Sequence, residues 1–133
     1  MNKAVATSYS ARTKVIGGPL LAVYLAYHLA HLTGGFTQGL GYVHLPLDAN
    51  GLPDVFYNVV MSFRVPWCVG LYVVAQALLG LHLYHGAWSL FQSLGINHRR
   101  YNETLRSAAA AVALAVVAGF LAVPIGVFLG YVK

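Results

Sequence analysis

Four of the six histidines lie inside otherwise apolar stretches, where an imidazole side chain could bind a metal ion or a haem iron. They form two pairs with the same spacing, His28 with His31 and His82 with His85. A polar side chain at membrane depth is costly unless it faces a partner or a cofactor, so such residues are functional candidates. Neutral imidazole is also a common axial ligand of haem iron.

The spacing of three residues puts both members of each pair on one face of a helix. Two histidines on one helix face cannot bind a single iron from opposite sides. A six-coordinate haem b would instead take one histidine from each of two helices. Each pair would then supply one ligand and one residue at the haem edge or its propionates. The alternative is hydrogen bonding between helices without a cofactor.

The segments that carry these histidines are long enough to cross a bilayer. Hydrophobic residues make up 59% of the 133 residues and charged residues only 8%, against about 25% charged in an ordinary soluble domain. Residues 15–47, 65–98 and 107–132 contain no Asp, Glu, Lys or Arg, and about 20 residues suffice for a spanning helix. We therefore predict an all-α membrane protein, a single domain over 1–133, with three transmembrane helices. Their expected bounds are about 15–33, 66–94 and 106–131.

The basic residues predict an orientation for these helices. Six of the eight lie before the first apolar run or between the second and third, and the net charge is +5. By the positive-inside rule, the N-terminus is then cytoplasmic and the C-terminus is on the outer side of the cytoplasmic (inner) membrane. The segment 1–14 has no apolar core, so we do not expect a secretory signal peptide. Nucleic-acid binding is not expected, because no basic and aromatic element could read a groove.

The single cysteine restricts which cofactors the chain could bind, and one arginine could add to a haem site. Cys68 is the only cysteine, which excludes an intrachain disulfide and the Cys-x-x-Cys-His attachment of a c-type haem. Arg12 could bind haem propionates, or it could simply anchor the helix at the membrane surface.

Asp54 to Phe63 is predicted to form a short surface helix.

Two further expectations concern depth and packing. At a rise of 1.5 Å per residue, His28 lies roughly 20 Å from the start of its helix, and His82 lies about 9 Å from the interfacial Trp88. The two histidines are therefore expected at different levels, which favours two haems over one shared haem. Small residues allow helices to approach closely in lipid; these are Gly80, Gly86, Ala111, Ala115 and Ala118. Gly86 neighbours the histidines and could instead leave room for a flat ligand.

Three stretches resemble a known family. Residues 80–95, Gly-Leu-His-Leu-Tyr-His-Gly-Ala-Trp-Ser-Leu-Phe-Gln-Ser-Leu-Gly, followed by Asn97-His98, resemble the membrane cytochrome b subunit of succinate dehydrogenase and fumarate reductase, in its diheme single-anchor form. The stretches 10–13 with 27–33 are similar to an earlier helix of that family, and 54–60 to its outer loop. The resemblance covers essentially the whole chain.

The resemblance implies a haem b-containing anchor subunit of succinate:quinone oxidoreductase. Such a subunit holds a flavoprotein and an iron-sulfur subunit on the cytoplasmic face and passes electrons through two b haems to or from a quinone, often menaquinone. By this resemblance, His82 is an axial ligand of the inner haem and His28 of the outer haem. His31 and His85 would then lie near the haem edge or support a ligand. The dicarboxylate site would lie on the partner subunits.

The chain departs from the family in its number of helices. The family normally has five, and the sequence matches the last three; the other two normally supply the opposite ligand of each haem and part of the quinone site. Three explanations stay open: a fragment of a longer reading frame, a second polypeptide that supplies the missing pair, or one haem shared by His28 and His82. A non-redox scaffold or assembly subunit with structural histidines is the rival function. Proton or ion transport is disfavoured, since no acidic residue lies in a spanning run.

Overall fold

The fold of the described chain is helical. The computed structural model describes residues 3–34, 47–96 and 98–132, with the side chains of 16–33, 47–96 and 98–132. These residues form four α-helices and a π-helical turn, Ala30–Gly34, that follows the first helix; an isolated bridge joins Leu47 to Pro53. The helices are α1 Lys3–Leu29, α2 Val55–Phe63, α3 Pro66–Ser93 and α4 Asn102–Phe128. The all-α prediction is confirmed for this part of the chain.

Helices α3 and α4 are long enough and apolar enough to cross a membrane. Their apolar windows are only 28% and 17% buried, whereas the core helix of a soluble protein would be mostly buried. Within the described residues, α1 does not meet the same criteria of length and apolarity, so the third span, over 15–33, stays a prediction. It also begins at Lys3 rather than near Val15, since the preceding Ala, Lys and Arg residues are good helix formers.

The junction between α2 and α3 follows from its sequence. Asp54 caps α2 by accepting a hydrogen bond from the backbone N–H of Tyr57 at 2.9 Å. Val65 is extended, as expected before a proline, and Pro66 occupies the first turn of α3, where its missing N–H costs nothing. The short helix predicted between the first two spans is thereby confirmed.

Helices α3 and α4 both end in glycine-based turns. Gly95 and Gly130 have φ values of +73° and +81°, in the left-handed region that favours glycine. After each glycine, the next backbone N–H donates five residues back, from Ile96 to Phe91 and from Tyr131 to Gly126. The predicted end of α3 is confirmed, while α4 begins four residues earlier than predicted and ends three earlier.

Helix α3 packs most extensively against α4, and the contact depends on small residues. A Cβ atom on Gly80 would lie 2.9 Å from Cγ2 of Val117, so the helices approach at the glycine. Ala109 and Ala113 are buried at 2% and 5% exposure. The alanines predicted for this role, at positions 111, 115 and 118, are exposed. That prediction was wrong because the face of α4 that packs against α3 carries residues 109, 113 and 117 rather than 111, 115 and 118.

The buried core lies at one end of the molecule. Side chains of α2, the first half of α3 and the end of α4 form it: Val60, Phe63, Val69, Tyr72 and Val127. Tyr24, Tyr27 and Leu32 pack against this core from α1 and the π-helical turn. One of the two histidine pairs therefore lies against a packed core.

Candidate functional site

His28 and His31 meet at one tyrosine hydroxyl group on α3. The Nδ1 atom of His28 lies 3.1 Å from the hydroxyl oxygen of Tyr72, and Nδ1 of His31 lies 3.2 Å from it. Tyr72 is 4% exposed and His31 1% exposed, whereas His28 is half-buried. A π-helical turn is frequent at functional positions, and here it carries His31. The site around this hydroxyl group is called the Tyr72 cluster; it comprises Tyr24, Tyr27, His28, His31, Tyr72 and Gln76.

Ring contacts hold the Tyr72 side chain in place. The ring of Phe63, at the end of α2, lies edge-on to it with centroids 4.8 Å apart, and Tyr24 lies edge-on at 5.4 Å. Tyr27 stacks on His31 with centroids 5.2 Å apart and an interplanar angle of 27°. Offset and edge-on aromatic pairs are favourable arrangements. Side chains from α1, α2 and the π-helical turn therefore fix the position of the Tyr72 hydroxyl group.

Two weaker hydrogen bonds connect the cluster to its neighbours. The amide Nε2 of Gln76 donates to the hydroxyl oxygen of Tyr24 at 3.4 Å. The amide Nδ2 of Asn58, fully buried on α2, donates to the carbonyl oxygen of Leu32 at 3.4 Å. The second bond ties α2 to the π-helical turn, so α2 is a structural part of the site rather than a surface helix alone.

His28 also borders open space. Two cavities, of about 210 and 280 Å³, lie beside it, and both are lined by Tyr24, His28, Gln76 and Phe120. His31 lines neither of them. The structure thus separates the two members of the pair, with one side chain at a cavity and the other in the core.

The second histidine pair lies in different surroundings. A cavity of about 210 Å³ between α1 and α3 is bordered by a set of residues called the His82 face: Gly17, Leu78, Leu81, His82, His85, Gly86 and Ser89. His82 is exposed and His85 half-buried. A Cβ atom on Gly17 or Gly86 would meet nothing within 4 Å, so the glycines leave room beside the imidazoles.

The Tyr72 cluster and the His82 face lie at different levels of the helices, as expected. His28 contacts Tyr72, which precedes His82 by ten residues on α3, or about 15 Å at 1.5 Å per residue. Helix α1 gives a similar separation, since Gly17 of the His82 face precedes His28 by eleven residues, or about 17 Å. The cavities that border His28 and His82 are separate ones, which speaks against one haem shared by these two residues.

The donor chemistry of both positions fits a haem, but the space beside each imidazole is small. Each position has an imidazole beside apolar side chains, which suits a porphyrin. Ligand pockets usually measure about 300–1,000 Å³, and these cavities are smaller. Among the described residues no group of three or more His, Cys, Asp or Glu side chains could hold a metal ion. The cavities formed by the described residues therefore do not enclose a complete haem site.

The remaining predicted residues are placed less fully. Arg12 lies on α1, but its side chain is outside the described residues. His98 is exposed in the turn between α3 and α4, where its Nδ1 accepts a hydrogen bond from the backbone N–H of Arg100. At the same end of the helices, the guanidinium group of Arg106 lies 4.6 Å above the Trp88 ring, a cation–π contact.

Sequence reasoning missed Tyr72 and Gln76. They lie four residues apart on α3, just as Tyr24 and His28 do on α1, but this spacing alone does not tell which residues meet. When two helices run antiparallel, two such pairs can meet at one level, with Tyr24 beside Gln76 and His28 beside Tyr72.

No protein-family model, curated protein or solved structure matches this chain.

Proposed function

We propose that this protein is a haem b-binding membrane anchor subunit of succinate:quinone oxidoreductase, the complex that acts as succinate dehydrogenase or fumarate reductase. One observation carries the proposal. His28 of α1, which contacts Tyr72 of α3, lies about ten residues or 15 Å from the level of His82 on α3, and each imidazole borders a cavity with apolar walls. Helix α3, which carries Tyr72 and His82, is long and apolar enough to span a membrane. The resemblance of residues 80–95 supplies the specific family.

In this proposal His28 and His82 each offer one axial nitrogen to a separate b haem. Haem supplies one-electron transfer, with a potential set by its axial ligands, their hydrogen bonds and burial. His31 and His85 support the ligands or contact the haem edge, and Arg12 binds a propionate. Tyr72 holds the Nδ1 side of His28, while Gly17 and Gly86 keep space open at the His82 face.

The proposal includes partners that complete the site. A second polypeptide, or a segment beyond the given sequence, supplies two helices with the opposite histidines. A flavoprotein and an iron-sulfur subunit bind on the cytoplasmic side, near the basic connection between α3 and α4. Menaquinone or another quinone is the electron donor or acceptor, and 15–33 forms the third transmembrane span.

The test is haem content per chain in the native complex. The full chain, tagged in its own genome, is purified from membranes with its partners, and haem b is quantified as the pyridine haemochrome. We expect two b haems with distinct reduced-minus-oxidised signals. His28→Ala should remove one signal and His82→Ala the other, whereas His98→Ala, an exposed histidine in the α3–α4 turn, should remove neither. A purified complex without b haem would contradict the proposal.

One observation favours the rival scaffold function. The Nδ1 atoms of His28 and His31 already contact the Tyr72 hydroxyl group, so both could serve in packing alone. A purely structural role predicts that His28→Ala lowers the thermal stability of a complex that contains no b haem. The same set of variants therefore separates the two functions.

A further inference from the structure

A groove between α3 and α4 is larger than the cavities beside the histidines. Its volume is about 420 Å³, within the range of about 300–1,000 Å³ that is usual for ligand pockets. Leu81 and Leu114 in its walls are 50% and 69% exposed, so the groove opens to the surroundings of the helices. Tyr84 is the one lining residue with a polar side-chain atom. The residues that form this α3–α4 groove are Ala77, Gly80, Leu81, Tyr84, Ala110, Ala113, Leu114 and Val117.

A cation–π pair lies at one end of the groove. The guanidinium group of Arg106 lies 4.6 Å from the centroid of the Trp88 ring. Trp88 follows Tyr84 by four residues on α3, and Arg106 precedes Ala110 by four on α4, so each lies one turn from the groove on the same helix face. A guanidinium group stacked on a ring still presents the N–H groups at its edge. Because Arg106 is exposed, these N–H groups are available to a ligand in the groove.

The chain segment beside this pair is positively charged. Arg99 and Arg100 are exposed in the turn between α3 and α4. Within the segment 98–106, three arginines and the single acidic residue Glu103 give a net charge of +2 when His98 is neutral. Basic pockets between membrane-spanning helices bind lipid head groups, and the arginine fork matches the geometry of a phosphate group. The charge at this end of the groove therefore complements an anionic phosphate.

The length of the groove distinguishes an acyl chain from a helix as its occupant. Ala77 precedes Trp88 by eleven residues, and Val117 follows Arg106 by eleven, which is about 16 Å at 1.5 Å per residue. The hydrocarbon core of a bilayer is about 30 Å thick, so one leaflet contributes about 15 Å. The groove and its charged end thus match the depth of one leaflet. A partner's transmembrane helix would need a groove about twice as long.

We propose that the α3–α4 groove binds one acyl chain of an anionic phospholipid, whose phosphate group accepts hydrogen bonds from Arg106. Trp88 holds the guanidinium group in place, and Arg99 and Arg100 add to the attraction of the head group. Apart from Leu81, the groove shares no lining residue with the His82 face. The lipid site rests on the insertion of α3 and α4 in a bilayer, which is part of the proposed function, but it requires no haem.

The two tryptophans of the chain provide the measurement. Trp67 and Trp88 lie 21 residues apart on α3, or about 30 Å, so they report on opposite ends of the helix. The full chain carrying Trp67→Phe is reconstituted in phosphatidylcholine vesicles that contain a small mole fraction of brominated phosphatidylglycerol or, in parallel, of brominated phosphatidylcholine. Bromine quenches tryptophan fluorescence on contact. We expect brominated phosphatidylglycerol to quench Trp88 more strongly. Trp88→Phe leaves Trp67 as the reporter, and there the two lipids should quench alike.

Substitutions at Arg106 test the contact with the phosphate group. Arg106→Gln should decrease the preference of Trp88 for phosphatidylglycerol about fivefold, whereas Arg106→Lys, which keeps the charge but not the planar fork, should retain part of it. Arg64→Gln is the matched control, because it removes one positive charge just before α3, at the end far from Trp88. It should leave the preference unchanged. The ratio of quenching by the two lipids is the quantity compared, so a change in Trp88 emission itself does not affect the result.

A larger side chain in the groove tests the acyl-chain contact separately from the charge. Ala110→Leu fills part of the groove and leaves all three arginines in place, so the preference should decrease. Ala111→Leu adds the same volume at an exposed residue that does not line the groove, and it should retain the preference.

Four outcomes would overturn the proposal. A preference that persists in Ala110→Leu would mean that the basic turn attracts anionic lipid without the groove. Equal quenching of Trp88 by the two lipids would mean that the head group is not selected. Absence of quenching by either lipid would mean that protein, such as a second copy of this chain, covers the groove. A chain that is not retained in the vesicles would contradict the proposed membrane anchor as well, whereas a complex without b haem would contradict only the proposed function.

Discussion

The Tyr72 cluster and the His82 face have the same spacing of two histidines but opposite surroundings. In the cluster, α1, α2 and α3 converge, and both imidazoles contact one buried hydroxyl group. On the His82 face, His82 is exposed and two glycines leave open space. The comparison teaches that spacing determines which helix face carries the pair, while neighbouring elements determine whether its imidazoles are buried against a partner or left open.

The largest difference should be in stability. Tyr72→Ala removes a buried ring that packs on Phe63 and Tyr24 and also removes the partner of two imidazoles, so we expect a loss of about 3–5 kcal/mol. His82→Ala, at an exposed position, should change stability by less than about 0.5 kcal/mol. Equilibrium unfolding of the full chain in mixed micelles, followed by circular dichroism, measures both. Equal losses would mean that the two pairs do not differ as described.

The second prediction concerns the helix that covers the cluster. Asp54 caps α2, which supplies Phe63 and Asn58, so Asp54→Ala should cost about 0.5–2 kcal/mol. Asp54→Asn is the matched control, because asparagine caps a helix about as well as aspartate. The same unfolding measurement applies, together with near-ultraviolet circular dichroism of the aromatic cluster. A near-ultraviolet spectrum that is unchanged in Asp54→Ala would show that α2 does not order the rings.

Much of this architecture could be predicted from local sequence. Asp54, Pro66 and Gly95 act on residues within a few positions along the chain, Asp54 through its side chain and the other two through their backbone, so the start and end of α2 and α3 were predictable to within a residue or two. The face of α4 that packs against α3 could not be predicted. Residues 108–111 are all alanine, and when small residues surround the helix, their pattern does not show which face is buried. Burial of Ala109 and Ala113 depends on where α3 lies.

The candidate site shows the same division between local and tertiary information. The pairing of His28 with His31 and the open space beside Gly86 were predictable, because both follow from helix periodicity and residue size. The role of Tyr72 was not, since it depends on the register between α1 and α3. Gln76 depends on the same register, and the π-helical turn at Ala30–Gly34 had no sequence signal of its own.

The third prediction compares two glycines on α3. Gly86→Ala should stabilise the helix by about 0.5–1 kcal/mol, because its Cβ atom meets open space. It should also decrease haem content at the His82 face, because the added methyl group narrows the cavity. Gly80→Ala should instead be neutral to destabilising and leave the haem content unchanged, since its Cβ atom would lie 2.9 Å from Val117. Haem quantification beside an unfolding curve checks the pair; a gain in stability from Gly80→Ala would contradict the close helix contact.

The smallest effect concerns the turn that leads into α2 on the side of the Tyr72 cluster. Backbone N–H groups of Leu52 and Asn50 donate to the Asp48 carboxylate, and these bonds lower its pKa below the ordinary 3.8. A lowered carboxyl pKa means that the charged form supports the turn; the support is complete above pH 3.8 and is lost as the pH falls through the lower, folded-state pKa. The amide signals of Asn50 and Leu52 should therefore shift with a midpoint below pH 3.8 in an NMR titration. The Gly95 amide at the far end of α3, which donates to Gln92, should not follow that titration, and Asp48→Asn should abolish it. A titration midpoint at or above 3.8 would show that these bonds do not form in the folded chain. The turn before α2, the helix that supplies Phe63 to the Tyr72 cluster, would then not be held by the Asp48 carboxylate.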